Sequence, residues 1–310
     1  MKDVAKDDLS HNLEMSEPNN QPSSSNGYGC LYLVGTPIGN LEDLTLRSIA
    51  TLKLVDYIAA EDTRHTGKLL HYLGIQKPQI SYHAHNYLSR IPELIAKLQA
   101  GVNIALVSDA GMPGISDPGT ELVQACIKEK VAICPIPSMT AAITGLTISG
   151  LPTERFVFEG FLPVERSPRQ ARLEALQTEP RTMIFYEAPH RLLRTLTDFL
   201  PVFGDQRAIA LARELTKRHE ECWRGSLRDA VTHYTNHAPR GEFTLILEGA
   251  PIIEKEPLSI MELQTALREL LNSGLSTAAA SRQLAMQTGL AKRDLYQMAL
   301  EILAQEDDQS

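Results

Sequence analysis

Residues 108–119 read Ser-Asp-Ala-Gly-Met-Pro-Gly-Ile-Ser-Asp-Pro-Gly, and what flanks them decides the fold class. Before them runs Val102-Asn103-Ile104-Ala105-Leu106-Val107, an apolar stretch with the signature of a buried strand. After them a helical pattern extends from Glu121 to Lys130. Strand-to-helix loops are usually ~2–6 residues long, and this one is twelve. Glycine lets a backbone close on a bound molecule, and proline stiffens the loop around it. Open α/β sheets bind ligands at the carboxyl ends of their strands, so the stretch is expected at the lip of a cleft.

The same grammar repeats toward the N-terminus. Leu31–Val34 is a short strand running into Gly35-Thr36-Pro37-Ile38-Gly39-Asn40, with a helical pattern through Leu44, Leu46, Ile49 and Leu52. That loop carries neither G-K-[ST] nor G-x-G-x-x-G, which excludes the nucleotide P-loop and the dinucleotide fingerprint. Val55–Ala60 is a strand that delivers Glu61-Asp62-Thr63-Arg64-His65. Working groups sit at such a terminus, and Asp62 or Thr63 also suits a helix N-cap. Gln79–Tyr82 leads into His83-Ala84-His85-Asn86, two histidines without a third ligand, which read as polar surface. After a strand at Val131–Ile136, small residues from Ser138 to Ala142 open a helix. They leave room for a ligand at its free N–H groups, or for tight helix packing.

The pattern breaks around Gly150-Leu151-Pro152, a domain boundary. Strands follow at Phe156–Phe161, Thr182–Tyr186, Ala208–Ala212 and Gly241–Leu247, with a basic loop or helix start over Pro163–Arg169. Beyond Pro257 three helices are expected, Leu258–Leu271, Ser276–Gln287 and Lys292–Leu303, loosely helix-turn-helix in spacing. They would be either that module or a helical cap. The organisation is therefore a disordered tail over 1–29, α/β domains over 30–150 and 151–250, and a helical module over 258–305.

Composition narrows the classes. A formal net charge of −8 excludes a bulk polycation coating nucleic acid, although Arg155–Arg240 holds 14 Lys/Arg against 11 Asp/Glu. No apolar run approaches the ~18 residues of a bilayer span, and the tail lacks the apolar core of a secretory signal. Four scattered cysteines with no C-x-x-C pair argue against a zinc site or a disulfide framework, and point to the cytoplasm.

Taken together, GTPIGN at 35–40, AEDTR at 60–64, the central loop, YEAPHR at 186–191, RELTKRHEE at 213–221 and GEF at 241–243 resemble one family. It is the bacterial ribosomal RNA small subunit methyltransferase I family, within the tetrapyrrole methylase superfamily. The resemblance implies S-adenosylmethionine-dependent 2′-O-methylation of a decoding-centre cytidine (position 1402) of 16S rRNA in the 30S subunit. It implies a homodimer of two α/β domains, with the cofactor in the interdomain cleft and no metal. Cofactor contacts would come from Pro37, Asp109, Gly111, Met112, Pro113, Ile115, Ser116, Ser138, Thr140, Ala141 and Tyr186. Position 112 departs from the motif, being Met where Thr is expected.

A ribose hydroxyl is a poor acid, so a nearby carboxylate or imidazole would help. Glu187 and Asp62 are the candidates, with His190 in reserve. Arg64, Arg166, Arg169, Arg191, Arg213 and Lys217 are candidates for RNA phosphates, with Arg172 extending that path. The alternatives are a methylase acting on a tetrapyrrole carbon and a non-catalytic ribosome-binding factor.

Overall fold

The computed structural model describes residues 26–251 and 258–307, so the expected tail lies outside the described residues up to position 25. The first lobe alternates strand and helix: β1 (Cys30–Val34), α1 (Leu46–Leu54), β2 (Tyr57–Ala60), α2 (Thr63–Tyr72), β3 (Gln79–Ser81), α3 (Tyr87–Gln99), β4 (Ile104–Val107), α4 (Thr120–Lys128), β5 (Ala132–Ile136) and α5 (Ala141–Ser149). Its strands are all parallel, in the order β3-β2-β4-β1-β5. Buried on both faces, a central parallel strand needs a continuous apolar run, and every residue of β4 is buried.

Strand order decides which loops meet. With β1 beside β4, the loops leaving their carboxyl ends are neighbours although they lie some seventy positions apart. The Thr36 N–H donates to Gly111 O at 2.9 Å, and the Gly111 N–H returns a bond to Thr36 O at 3.1 Å. The Thr36 hydroxyl adds a bond to Ser108 O at 3.1 Å. Buried backbone groups must be paired, and here the pairing welds the two loops into one wall.

The second lobe holds β6 (Phe156–Phe161), α6 (Arg166–Leu176), β7 (Thr182–Glu187), α7 (Pro189–Phe203), β8 (Ala208–Arg213), β9 (Glu221–Ser226), α8 (Leu227–Asn236) and β10 (Phe243–Leu247). Its sheet runs β6-β7-β10-β8-β9, with β6 and β7 parallel and the other pairs antiparallel. β9 reads Glu-Cys-Trp-Arg-Gly-Ser, with no buried residue, so no apolar pattern announces it. It forms by completing the hydrogen bonds of β8 at the sheet edge. The basic stretch after Pro163 is the helix α6 from Arg166 onward.

The lobes share a core. Ile38, Ala142 and Leu146 of the first pack with Ile184, Ala210, Ala212, Leu215 and Ile246 of the second. α5 lies on the second sheet through Gly145, where a Cβ would come within 3.1 Å of Thr244 and 3.2 Å of Ile246. Gly145, one turn into α5, thus serves tight packing between the lobes. The chain through Ala250 is one compact unit, and Pro251–Ser310 is another.

That other unit is α9 (Ile260–Asn272), α10 (Thr277–Thr288) and α11 (Lys292–Asp307). They bury Leu263, Leu267, Ala280, Leu284, Leu295, Ala299 and Ile302 against each other. A Ser259–Glu262 capping box starts α9 and left-handed Gly289 ends α10. No described helix is long and apolar enough to cross a membrane.

Candidate active site

The loops after β1, β4 and β5 converge with the ends of β7, β8 and β10 around a cavity of about 460 Å3. Its size falls within the ~300–1,000 Å3 of small-molecule sites. One wall is the central loop, with Asp109, Gly111, Met112, Ile115, Ser116 and Asp117, and behind it stands Glu61. Thr140 and Ala141 of the α5 entrance line it, as do Ile38, Phe161, Tyr186, Leu215 and Thr244. The Phe161 and Tyr186 rings lie 5.6 Å apart, and Phe158 backs Tyr186 edge-on at 5.0 Å.

The polar groups have defined partners. The Asp62 N–H donates to Asp109 Oδ1 at 3.2 Å, and the Asp109 N–H donates to Glu61 Oε2 at 3.3 Å. Burial pushes the Glu61 carboxyl up. Burial, reinforced by the charges of Glu61 and Asp109, pushes Asp117 up to about 7 against the pull of a bond from Ser108. Three carboxyl groups in one half-buried wall make the cavity receptive to a cation.

Tyr186 accepts a bond from the Ala142 N–H at 3.0 Å, which leaves its own proton to donate. The hydroxyl of Thr140 accepts from the Ile143 N–H at 3.5 Å, so the free N–H groups expected at the α5 entrance are partly used within the fold.

Backbone strain concentrates here. Ser116, Glu214 and Thr216 are non-glycine residues at φ of 60°, 51° and 63°, in the two loops that face each other. Such conformations persist only where surrounding structure over-determines them. Gly39 allows the loops to touch: a Cβ there would fall 2.4 Å from Lys217 Cγ and 2.9 Å from Leu215 O.

A second cavity of about 530 Å3 adjoins the first, lined by the Thr36–Gly39 loop, Leu41 and the α2 residues His65, Lys68, Leu69 and Tyr72. The two share Ile38, Asp109, Ala110, Lys217 and Glu242.

Of the expected cofactor residues, Asp109, Gly111, Met112, Ile115, Ser116, Thr140, Ala141 and Tyr186 line the first cavity. Pro37 lines the second. Pro113 and Ser138 line neither; Ser138 packs against Gly35, where a Cβ would meet its Cβ at 2.3 Å and Met112 Sδ at 2.6 Å. Met112 thus sets its sulfur against Gly35.

Of the three groups expected near the hydroxyl, Glu187 lines the first cavity, whereas Asp62 and His190 line neither. Glu187 is buried, its Oε1 held by the Ala188 N–H at 3.0 Å and Arg191 Nε at 3.2 Å, its Oε2 by the Thr195 hydroxyl at 2.5 Å. Asp62 caps α2 and pairs with Arg64, whose hydrogen bonds hold its carboxyl well below the usual carboxylate range. His190 is exposed and lines neither cavity.

Among the expected phosphate ligands, Arg169 is only 3% exposed. It is spent on Asp198 at 2.6 Å, Thr195 at 2.7 Å and Pro163 O at 3.5 Å, so it is a buried strut and no surface cation. Arg172 pairs with Glu159 at 2.5 Å and Arg213 with Glu221 at 3.0 Å. Arg191 is tied to Glu187 and Leu162 O, whereas Arg166 is exposed on α6. Lys217 lies between the cavities, held by Glu214 at 2.9 Å and Glu242 at 2.7 Å. Asp117 and Phe161 are cavity residues that the sequence pattern did not single out, and Glu61 was marked only as part of the strand-end group at 61–65. The second aspartate of the central loop, eight positions after the first, was the available signal for Asp117.

Residues 30–231 match the family model for Tetrapyrrole (Corrin/Porphyrin) Methylases, and residues 259–303 match the RsmI C-terminal HTH domain. Solved structures with this fold include cobalt precorrin-4 methyltransferase, at TM-score 0.54 and 13% identity over 74% of this chain and 98% of that one. Another is a Thermus thermophilus uroporphyrin-III C-methyltransferase complexed with S-adenosyl homocysteine, at TM-score 0.51 and 19% identity over 70% and 97%. These identities establish the fold alone. Ribosomal RNA small subunit methyltransferase I of Synechocystis sp. is 56% identical, covering 89% of this chain and 99% of its own length. The proteins of that name from Halalkalibacterium halodurans and Escherichia coli O157:H7 are 49% and 45% identical, covering 86% and 90% of this chain and 93% and 97% of theirs. With a two-lobed methylase fold, a C-terminal three-helix unit and relatives matched over nearly their whole length, this chain belongs to the ribosomal RNA small subunit methyltransferase I family.

Proposed function

We propose that this protein is a cytoplasmic S-adenosylmethionine-dependent methyltransferase that modifies the ribose 2′-hydroxyl of a decoding-centre cytidine of 16S rRNA, as a homodimer acting on the 30S subunit. The observation that carries the proposal is the carboxylate-walled cavity at the strand ends. Its residues fit the cofactor: Glu61, Asp109 and Asp117 complement positive charge, while Ile38, Ile115, Leu215, Phe161 and Tyr186 offer apolar and aromatic surface. When bound, S-adenosylmethionine supplies a methyl group on a positively charged sulfur. Acidic walls favour that cation over the neutral product, so the same charge that assists binding also assists release.

Rate in such a transfer comes mainly from holding the acceptor oxygen in line with the methyl carbon. The welded Thr36–Gly111 wall and the Gly39–Leu215 contact supply a rigid frame for that alignment. As the oxygen–carbon bond forms and the carbon–sulfur bond breaks, the hydroxyl proton passes to a carboxylate. Asp109 is placed for it, because it lines both cavities and so stands between donor and acceptor. Glu187 lines the first cavity with its carboxylate held by Arg191 and Thr195, and Asp62 orients the Asp109 carboxylate through its N–H.

The test is transfer of tritiated methyl to 30S subunits from cells lacking this protein, followed by alkaline hydrolysis. Label in an alkali-resistant dinucleotide is expected, since a 2′-O-methyl blocks cleavage. Label released in mononucleotides would place the methyl on a base and overturn the proposal. Asp109→Asn is expected to lose transfer while still binding the cofactor.

A further inference from the structure

The second cavity is built differently from the first. α2 turns His65, Lys68, Leu69 and Tyr72 toward it, a spacing that sets all four on one helical stripe. α2 packs on its own lobe through Thr66 and Leu70, so this stripe is free of the core. Tyr72 is 66% exposed and Leu41, across the cavity, is 42% exposed. Large apolar side chains on both lips of a cavity mark a binding surface. Lys68 and His65 are exposed between them, and neither forms an ion pair among the described residues. The neighbouring cations differ, since Asp62 holds Arg64 and two glutamates hold Lys217.

We propose that this cavity seats one unstacked nucleotide of the RNA acceptor, its base on the Tyr72 and Leu41 surface and its phosphate at Lys68 and His65. The inference rests on the RNA methylation proposed above. An unstacked base needs an aromatic or apolar surface to replace its lost neighbours, and its phosphate needs a cation. Both are present, and the shared wall at Asp109 lets the ribose between them reach the first cavity. A tetrapyrrole with its several carboxylates would want a cation-rich wall. Here one free lysine and one imidazole face Asp109 and Glu242. One nucleotide carries one phosphate charge, which matches.

The experiment measures methyl transfer to unmodified 30S subunits at varied subunit concentration and salt, for wild type, Tyr72→Ala, Tyr72→Phe, Lys68→Ala and Lys128→Ala, with cofactor affinity by calorimetry. Tyr72→Ala is expected to lower kcat/KM for subunits at least about fivefold, the low end of losing one base stack, and Tyr72→Phe to restore it. Lys68→Ala is expected to raise KM and make the salt dependence shallower. Cofactor affinity stays unchanged in all, which also reports that each variant is folded. Lys128, exposed on α4 and lining neither cavity, serves as the control for losing a surface charge. An active wild type whose Tyr72→Ala and Lys68→Ala variants keep kcat/KM within twofold would place the nucleotide elsewhere and overturn the inference alone. A wild type that binds cofactor but transfers no methyl to subunits would overturn the underlying function, and the inference with it.

Discussion

Replacing Asp117 by Asn tests the electrostatics of the cofactor cavity most directly. The Asp117 carboxyl is pushed up to about 7, chiefly by burial and then by the charges of Glu61 and Asp109. An unfolded chain releases that proton near pH ~3.9. Between about pH 4 and 7 the folded protein therefore holds a proton that the unfolded chain has lost, and stability falls as pH rises through that window. Three pH units at about 1.4 kcal/mol each set a ceiling of about 4 kcal/mol. Relaxation and water entry bring the expected effect to roughly 2–4 kcal/mol. Asp117→Asn cannot ionise, so it should be more stable than wild type at pH 8 by that amount, with the gap closing toward pH 4.5.

Urea unfolding followed by the fluorescence of Trp223, the chain's single tryptophan, measures both proteins across the range. Addition of S-adenosylmethionine supplies a second readout. Ionised Asp117 attracts the cation, so wild-type affinity should rise between pH 6 and 8 while that of Asp117→Asn stays flat. Parallel stability curves and equal pH dependence of binding would refute the argument that this carboxyl sits protonated against Glu61 and Asp109.

Gly39→Ala places a methyl 2.4 Å from Lys217 Cγ and 2.9 Å from a backbone oxygen, so it should cost about 1–3 kcal/mol by overpacking and depress transfer, both measurable on purified protein. Arg169→Ala removes a buried guanidinium paired with half-buried Asp198 and bonded to buried Thr195, and should destabilise by about 3 kcal/mol in thermal or urea unfolding. The RNA affinity of its folded fraction should stay at the wild-type level, because the guanidinium is not at the surface. Tyr186→Phe removes the acceptor for the Ala142 N–H, and should cost about 1–2 kcal/mol and weaken cofactor binding measured by calorimetry.

Strand-end loops such as 108–119 were legible because strand, glycine-rich loop and helix are written in local order, and each needs only its own residue types. Local order also made four strands of the first lobe readable as short, largely apolar runs, while β3 (Gln-Ile-Ser) was read from its place before the His83 turn. β9 escaped notice because an edge strand is held by its neighbour's hydrogen bonds and needs no apolar face. Arg169 misled for a related reason: an arginine looks the same in sequence whether it faces phosphate or lies buried against Asp198 and Thr195.

The sequence by itself determined a two-lobed α/β methylase with a helical C-terminal unit, and it marked the central loop as the lip of the cleft. Family membership was legible there too, because its motifs are contiguous blocks. Tertiary structure alone decided which titratable groups share a cavity. Glu61, Asp109 and Asp117 come from two different strand ends, and they meet because β2 and β4 are adjacent in the sheet. Glu187 lines the same cavity from the second lobe, but there Arg191 and Thr195 hold its carboxylate. A carboxyl group's role follows from its partners and its burial, and those are set by strand order and packing across distances that no local pattern encodes.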